Sequence, residues 1–213
     1  MDNLNDVFKS KYFIFILYNS YVKYIIYGAR SSKKVDYFHN KIKEIIETIF
    51  IDKNKYIINL EYNIPSYNSS GKKKCDIVIL KNNIPYIIFP IKLIMSNYKQ
   101  NKNNSWENLT GELQHIKWMN NNIHIIPINI FMNKTPYLND KKIITKFENI
   151  LIDDLKNYNI LIEKGICYDI ITYIIDVEHT NNINETFSKI PIILGFNKNT
   201  KFRTFENILK NLI

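Results

Sequence analysis

The stretch CDIVILKNNIPYIIFPIKLI, residues 75–94, decides the fold. CDIVIL (75–80) is short, apolar and β-branched, and reads as a strand. Lys81-Asn82-Asn83 forms a tight turn, and IPYIIFPIKLI (84–94) is the next strand. Two polar residues stand out in this apolar hairpin. Asp76 opens the first strand, and Lys92 lies near the end of the second. A carboxylate and a lysine on hairpin partners can face one point at the end of a sheet. There the carboxylate can hold a divalent metal, while the lysine orients an attacking water and offsets charge on a phosphorane.

Working upstream, YIINLEY (56–62) is a further strand, and NIPSYNSSGKKK is the loop that turns it back. Before it, KKVDYFHNKIKEIIETIF (33–50) places Val35, Phe38, Ile42, Ile45, Ile46 and Ile49 at three-to-four spacing, which predicts an amphipathic helix. Downstream, SNYKQNKNN (96–104) reads as a polar loop, and Ser105 as the N-cap of a helix carrying Trp106, Leu109, Leu113 and Ile116. Asn120-Asn121-Asn122 ends it, and IHIIPINIFM (123–132) is an apolar run of strand length. Residues 33–132 therefore spell α-β-β-β-α-β. The last strand follows a helix, so it can join the sheet in parallel through a crossover.

The flanks are read more coarsely. KYFIFILYNSYVKYIIY near the N-terminus is interrupted by Lys11, Asn19, Ser20 and Lys23, too often for a membrane span, and predicts a buried helix or helix pair. Asp2 and Asp6 do not suit a secretory leader. Residues 140–165 are expected to be helical, 167–179 a strand, and 200–212 a terminal helix. The whole is expected to be one α/β domain over residues 1–213: a mixed central sheet flanked by helices, with a core at about 33–132. The segments 1–32 and 133–213 are then N- and C-terminal extensions.

Composition bounds the function. The chain has 42 Ile, 31 Asn and 27 Lys but one Ala, a skew that suits an A/T-rich genome. With 46% hydrophobic residues it can bury a proper core, which separates it from disordered chains. Two cysteines, Cys75 and Cys167, exclude a disulfide framework and suit a reducing cytoplasm. The net charge of +9 favours a polyanionic partner. In that light SNYKQNKNN is informative. Lys99 and Lys102 suit phosphate, whereas Asn97, Gln100, Asn103 and Asn104 can read adenine edges, with Tyr98 among them. Arg30, in GARSSKK (28–34), is placed for a phosphate contact at a helix entry, and Gln114 lies beside the expected site.

The element order, Asp76 and Lys92 together resemble the core of the PD-(D/E)XK nuclease superfamily, which includes most type II restriction endonucleases. The resemblance covers about half the chain. It implies that Asp76 is the metal-binding acid of the second strand and Lys92 the lysine of the triplet on the third. The triplet here reads Pro90-Ile91-Lys92, with proline where the family has Asp or Glu. Some members supply that acid from the following helix, which points to Glu107 or Glu112 in SWENLTGELQHIKW. The two are five residues apart, roughly 140° around a helix, so they cannot share one face. Glu112 is preferred, because Gly111 permits close approach, whereas Glu107 in the first turn already suits the helix dipole. The resemblance also implies that an acid on the first helix, which offers Glu44 and Glu47, can join the metal shell through water, and Glu61 is a weaker candidate.

These readings converge on a Mg²⁺- (or Mn²⁺-) dependent, sequence-specific endonuclease of double-stranded DNA. Its catalytic residues are expected to be Asp76, Lys92 and Glu112, with Asp76, Glu112, Glu107 and Glu44 as metal ligands. A homodimer would place two sites on a palindrome, and residues 133–213 would supply dimer contacts and base readout. The alternatives are a non-catalytic DNA-binding protein whose nuclease site has decayed at Pro90, and a structural or interaction protein whose charge reflects codon usage alone.

Overall fold

The computed structural model describes residues 11–28, 31–198 and 205–213. Helices α1 (Lys11–Tyr27) and α2 (Lys33–Glu47) precede strands β1 (Tyr56–Pro65), β2 (Lys72–Lys81), β3 (Ile84–Phe89) and β4 (Ile91–Ile94). Helix α3 (Tyr98–Met119) leads to β5 (His124–Ile125) and β6 (Ile128–Met132). The hairpin β7 (Lys134–Leu138) and β8 (Ile144–Asn149) follows, then a 3₁₀ helix (Ile152–Tyr158) and α4 (Asn159–Glu163). Strands β9 (Ile171–Glu178) and β10 (Ile192–Phe196) and helix α5 (Phe205–Leu209) complete the chain. The α-β-β-β-α-β order expected for residues 33–132 is present.

Two four-stranded sheets, β1-β2-β3-β5 and β10-β9-β6-β4, carry the molecule. They meet at a pair of prolines. Ile88 pairs with Ile125 and Ile91 with Ile128, both in parallel, so Pro90 and Pro127 stand at the same register. Proline has no N–H to donate, which interrupts both strands at one level. The ladder crosses the gap through Ile126 N–H to the Ile88 carbonyl at 2.9 Å and Ile128 N–H to the Pro90 carbonyl at 2.8 Å. The stretch 84–94 is thus one strand bent at Pro90, antiparallel to β2 on one side and parallel to 124–132 on the other. Beyond it, β9 joins in parallel and β10 in antiparallel sense. The C-terminal segment therefore extends the sheet.

Helices α1 and α2 cover one face, where Phe13, Ile16, Phe38, Ile42 and Ile46 meet Ile77, Ile79, Ile87, Ile130 and Tyr173. Helix α3 covers the other, with Leu109, Leu113 and Ile116 against Val78, Leu80, Ile88 and Ile125. Each fully buried large apolar side chain contributes roughly 1.5–3 kcal/mol. One buried group works against the core. The Tyr21 hydroxyl lies in a fully buried side chain with no hydrogen-bond partner. Burial raises its pKa, so it stays a neutral, unsatisfied dipole. Tyr21→Phe is expected to stabilise the fold by about 1–3 kcal/mol, read as a higher midpoint in urea at unchanged slope.

Three expectations are corrected. Residues 140–165 are not one helical region, because 144–149 pair with 134–138 as a hairpin, Thr135 opposite Glu148 and Pro136 opposite Phe147. The β-branched run Ile143-Ile144-Thr145 favours extended backbone, and the tertiary pairing outweighs the helical spacing of its apolar residues. The polar stretch 98–104 is not a loop but the first turns of α3. The helix starts early because its terminal N–H groups find distant acceptors. Lys99 N–H donates to the Glu148 carboxylate at 3.1 Å, a buried acid favourably placed at a helix N-terminus. The terminal helix ends at Leu209 and gives way to a turn over 210–212, short of the expected end, while residues 200–204 lie outside the described residues.

Candidate metal centre and cleft

A cleft of about 210 Å³ opens between α2, α3 and the strand ends. Its walls include His39 from α2, Lys73, Lys74 and Asp76 from β2, Lys92 from β4 and Glu112 from α3. Asp76, Lys92 and Glu112, singled out from sequence, thus line one space.

The cleft owes its position to a reversal in two strands. Ile58, Leu60, Ile77 and Ile79 pack with α1 and α2, whereas Tyr62, Ile64 and Cys75 pack with α3. The pairs Leu60–Ile77 and Tyr62–Cys75 hold their register, so both strands exchange faces at the step between them, which is Glu61 opposite Asp76. Glu61 makes the exchange possible with a left-handed backbone, φ 51°. A glutamate held there stores roughly 1–3 kcal/mol of strain, and such residues cluster at functional sites. One step past the Ile77–Phe89 pair, Asp76 also lies across from Pro90. Asp76 is therefore flanked by Glu61 on one side and by Pro90 on the other.

Asp76 accepts the Ile91 N–H at 2.6 Å through Oδ2. Burial holds its carboxyl above the ordinary range. His39, the Ile91 N–H and Lys92 act to lower it, and the Glu61 carboxylate adds to the rise. His39 is 3% exposed, with Nδ1 3.5 Å from Glu61 Oε1. At that length the contact is not a hydrogen bond, and Nδ1 has no hydrogen-bond partner elsewhere. Ligand atoms of His39, Glu61 and Asp76 lie within 4.8 Å of one another. Lys74 caps this group, its Nζ 2.9 Å from Glu61. Cys75, next to Asp76, is no nucleophile, because burial pushes its thiol up to about 12.

The remaining sequence candidates divide. Glu112 forms an ion pair with Lys73 across the cleft and lies outside the His39–Glu61–Asp76 group. Glu107 is exposed on α3 and does not line the cleft. Glu44 stands on the outer face of α2, paired with Lys41 at 2.8 Å and accepting the Tyr12 hydroxyl at 3.2 Å. Arg30 lies outside the described residues.

Of the residues taken for DNA readout, three are engaged in the fold. Asn97, with φ 52°, donates to the Leu138 carbonyl at 2.9 Å and accepts the Leu138 N–H at 3.0 Å, fastening α3 to β7. Tyr98 is buried against Phe131. Lys102 reaches Asp154 at 3.2 Å. Lys99, Gln100, Asn103 and Asn104 are exposed on the first turns of α3, and Gln114 is half-buried further along the helix. The polar surface on this helix is thus narrower than the sequence suggested.

His39 and Glu61 were the residues that sequence reasoning undervalued. The signal for His39 was its place in the apolar stripe of α2, between Phe38 and Ile42, where a polar side chain must face the sheet. Among the described residues, no helix is long and apolar enough to cross a membrane. Comparison with protein-family models, curated proteins and solved structures gives no match.

Proposed function

We propose that this chain is a divalent-metal-dependent endonuclease that hydrolyses phosphodiester bonds in double-stranded DNA, in the manner of a type II restriction enzyme. The observation that carries the reading is the convergence of Asp76 and Lys92, from neighbouring strands, on one cleft that His39 also lines, with Glu61 close to His39 and Asp76. The strand pattern supports it: three antiparallel strands followed, through α3, by a fourth in parallel beside the third.

The donor set suits a divalent cation, since two carboxylates and a buried imidazole nitrogen that makes no hydrogen bond converge there. Bound there, the cation supplies Lewis-acid charge for a phosphoryl oxygen. Lys92 orients the attacking water and offsets the charge that grows on phosphorus. Lys73 and Lys74, on the rim, meet flanking phosphates. Water adds to phosphorus, the P–O ester bond breaks, and the departing sugar oxygen takes up a proton. Lys99, Gln100, Asn103 and Asn104 offer phosphate and base-edge contacts from α3. A two-fold homodimer would apply two such clefts to a palindrome.

The test is supercoiled plasmid incubated with the protein, with Mn²⁺, Mg²⁺ or EDTA. Metal-dependent linearisation at fixed sites is expected. Metal-free duplex affinity should fall with salt, each phosphate contact adding roughly −0.9 to the log–log slope. Salt-sensitive binding without cleavage in any metal would instead favour the DNA-binding reading that Pro90 suggests. Absence of both would overturn nuclease and binder alike.

A further inference from the structure

We propose that His39, Glu61 and Asp76 form a mixed nitrogen–oxygen divalent-cation site that selects Mn²⁺ over Mg²⁺, with Lys74 as the resident competing cation. The inference concerns the same cleft as the proposed function and deepens it, but it stands on geometry that needs no DNA.

The first ground is the imidazole. Nδ1 of His39 is buried, has no hydrogen-bond partner and lies 3.5 Å from Glu61 Oε1. Leaving a buried polar atom unsatisfied costs roughly 1–3 kcal/mol unless something fills the gap. A cation does so. Two ligand atoms each about 2.1 Å from one ion are roughly 3 Å apart when adjacent, so the observed 3.5 Å needs only a small contraction.

The second ground is charge. Glu61 and Asp76 lie opposite each other across β1 and β2, on the step where both strands exchange faces. Two facing carboxylates repel, and Lys74 makes its close ion pair with Glu61, at 2.9 Å. Lys74 is the outer member of the group, with its side chain 59% exposed, so a divalent ion can displace it into solvent without unfolding anything. The ion would neutralise both acids where the lysine pairs closely with one.

The third ground is ligand chemistry. Mg²⁺ demands oxygen donors and gives up water reluctantly. Imidazole suits first-row transition metals. With proline at 90, the neighbours left to Asp76 are Glu61 and His39, and the preference moves to the softer ion.

The experiment uses the full chain and Mn²⁺ alone. Titration followed by electron paramagnetic resonance should give one tight site per chain, and electron spin echo modulation should show one ¹⁴N coupling from a coordinated imidazole. Competition should show Mn²⁺ held at least about tenfold more tightly than Mg²⁺. His39→Gln should lose the nitrogen coupling and most of that selectivity while retaining Mg²⁺ affinity. Because His39 is buried and its variant could fail to fold, Glu61→Gln provides a second arm. It should weaken Mn²⁺ binding about tenfold or more with the nitrogen coupling retained, and Lys74→Ala should tighten binding severalfold. Stoichiometric Mn²⁺ without nitrogen coupling in the unaltered protein would overturn the proposal, as would unchanged affinity in Glu61→Gln. If Mn²⁺ binds as described but DNA is not cut, the nuclease reading falls and this site stands. If Mg²⁺ supports cleavage and no nitrogen coupling is found, the site falls and the nuclease reading stands.

Discussion

Asp76→Asn is expected to reduce metal-dependent cleavage of duplex DNA on the order of a thousandfold or more, and Lys92→Ala on the order of a hundred- to a thousandfold. A thousandfold loss corresponds to about 4 kcal/mol of transition-state stabilisation. Both residues line the cleft, and neither packs in the apolar clusters. The asparagine oxygen can still accept the Ile91 N–H that Asp76 now receives at 2.6 Å, so the bend at Pro90 should survive. Thermal melting within a few degrees of the parent checks this. Removing the Asp76 charge also deletes repulsion toward phosphate, so metal-free DNA affinity should hold or rise while cleavage disappears. A cleaving Asp76→Asn variant would place the chemistry elsewhere.

The same assay ranks the second acid. From sequence, Glu112 was preferred as the substitute for the position that Pro90 occupies, and Glu61 was the weaker candidate. In the structure Glu112 is paired with Lys73 across the cleft, whereas Glu61 lies opposite Asp76 with the His39 imidazole beside it. Glu61→Gln should therefore impair cleavage more than Glu112→Gln. The reverse ranking would return the role to α3.

What was legible in the chain and what was not follow from the range of the interactions involved. Helix α2, the strands of 56–94 and the strand run at 124–132 show in the spacing of apolar residues, because each buries a face whose period its own sequence must keep. Asp76 and Lys92 stand out as charges in otherwise apolar strands. The early start of α3 could not be read in the same way, because the carboxylate that meets its terminal N–H belongs to Glu148, 49 residues away. Nor could the hairpin 134–149, whose apolar residues fit either period.

The centre itself was half visible. Acids on α2 were sought on its charged face, but His39 is the polar group turned inward, and Glu44 five residues on lies roughly 140° around the helix from it. Glu61 needed a left-handed residue inside a strand, which nothing in the local sequence announces. Sequence alternation assumes that a strand keeps its faces. At Glu61 and Asp76 two strands exchange them, and the two carboxylates come together there beside His39.

Phe38→Ala should destabilise the protein by roughly 3–5 kcal/mol, a large share of the 5–15 kcal/mol typical of a folded domain. Phe38 is fully buried and meets Phe13 of α1 edge to face, with ring centroids 6.3 Å apart. Truncation leaves a cavity between the two helices that neither backbone can close without leaving the sheet. The denaturant midpoint should fall at constant slope. Phe38 also precedes His39, so the packing that fixes this turn of α2 holds the imidazole against Glu61 and Asp76. Loosening it should lower Mn²⁺ affinity as well as stability. The link also runs the other way. A ligand that binds only the folded state at a hundred times its dissociation constant adds about 2.7 kcal/mol. Saturating Mn²⁺ should therefore restore much of the midpoint lost by Phe38→Ala, and should restore none of it once Asp76→Asn is added. Equal recovery in the double variant would show that the metal acts elsewhere on the molecule.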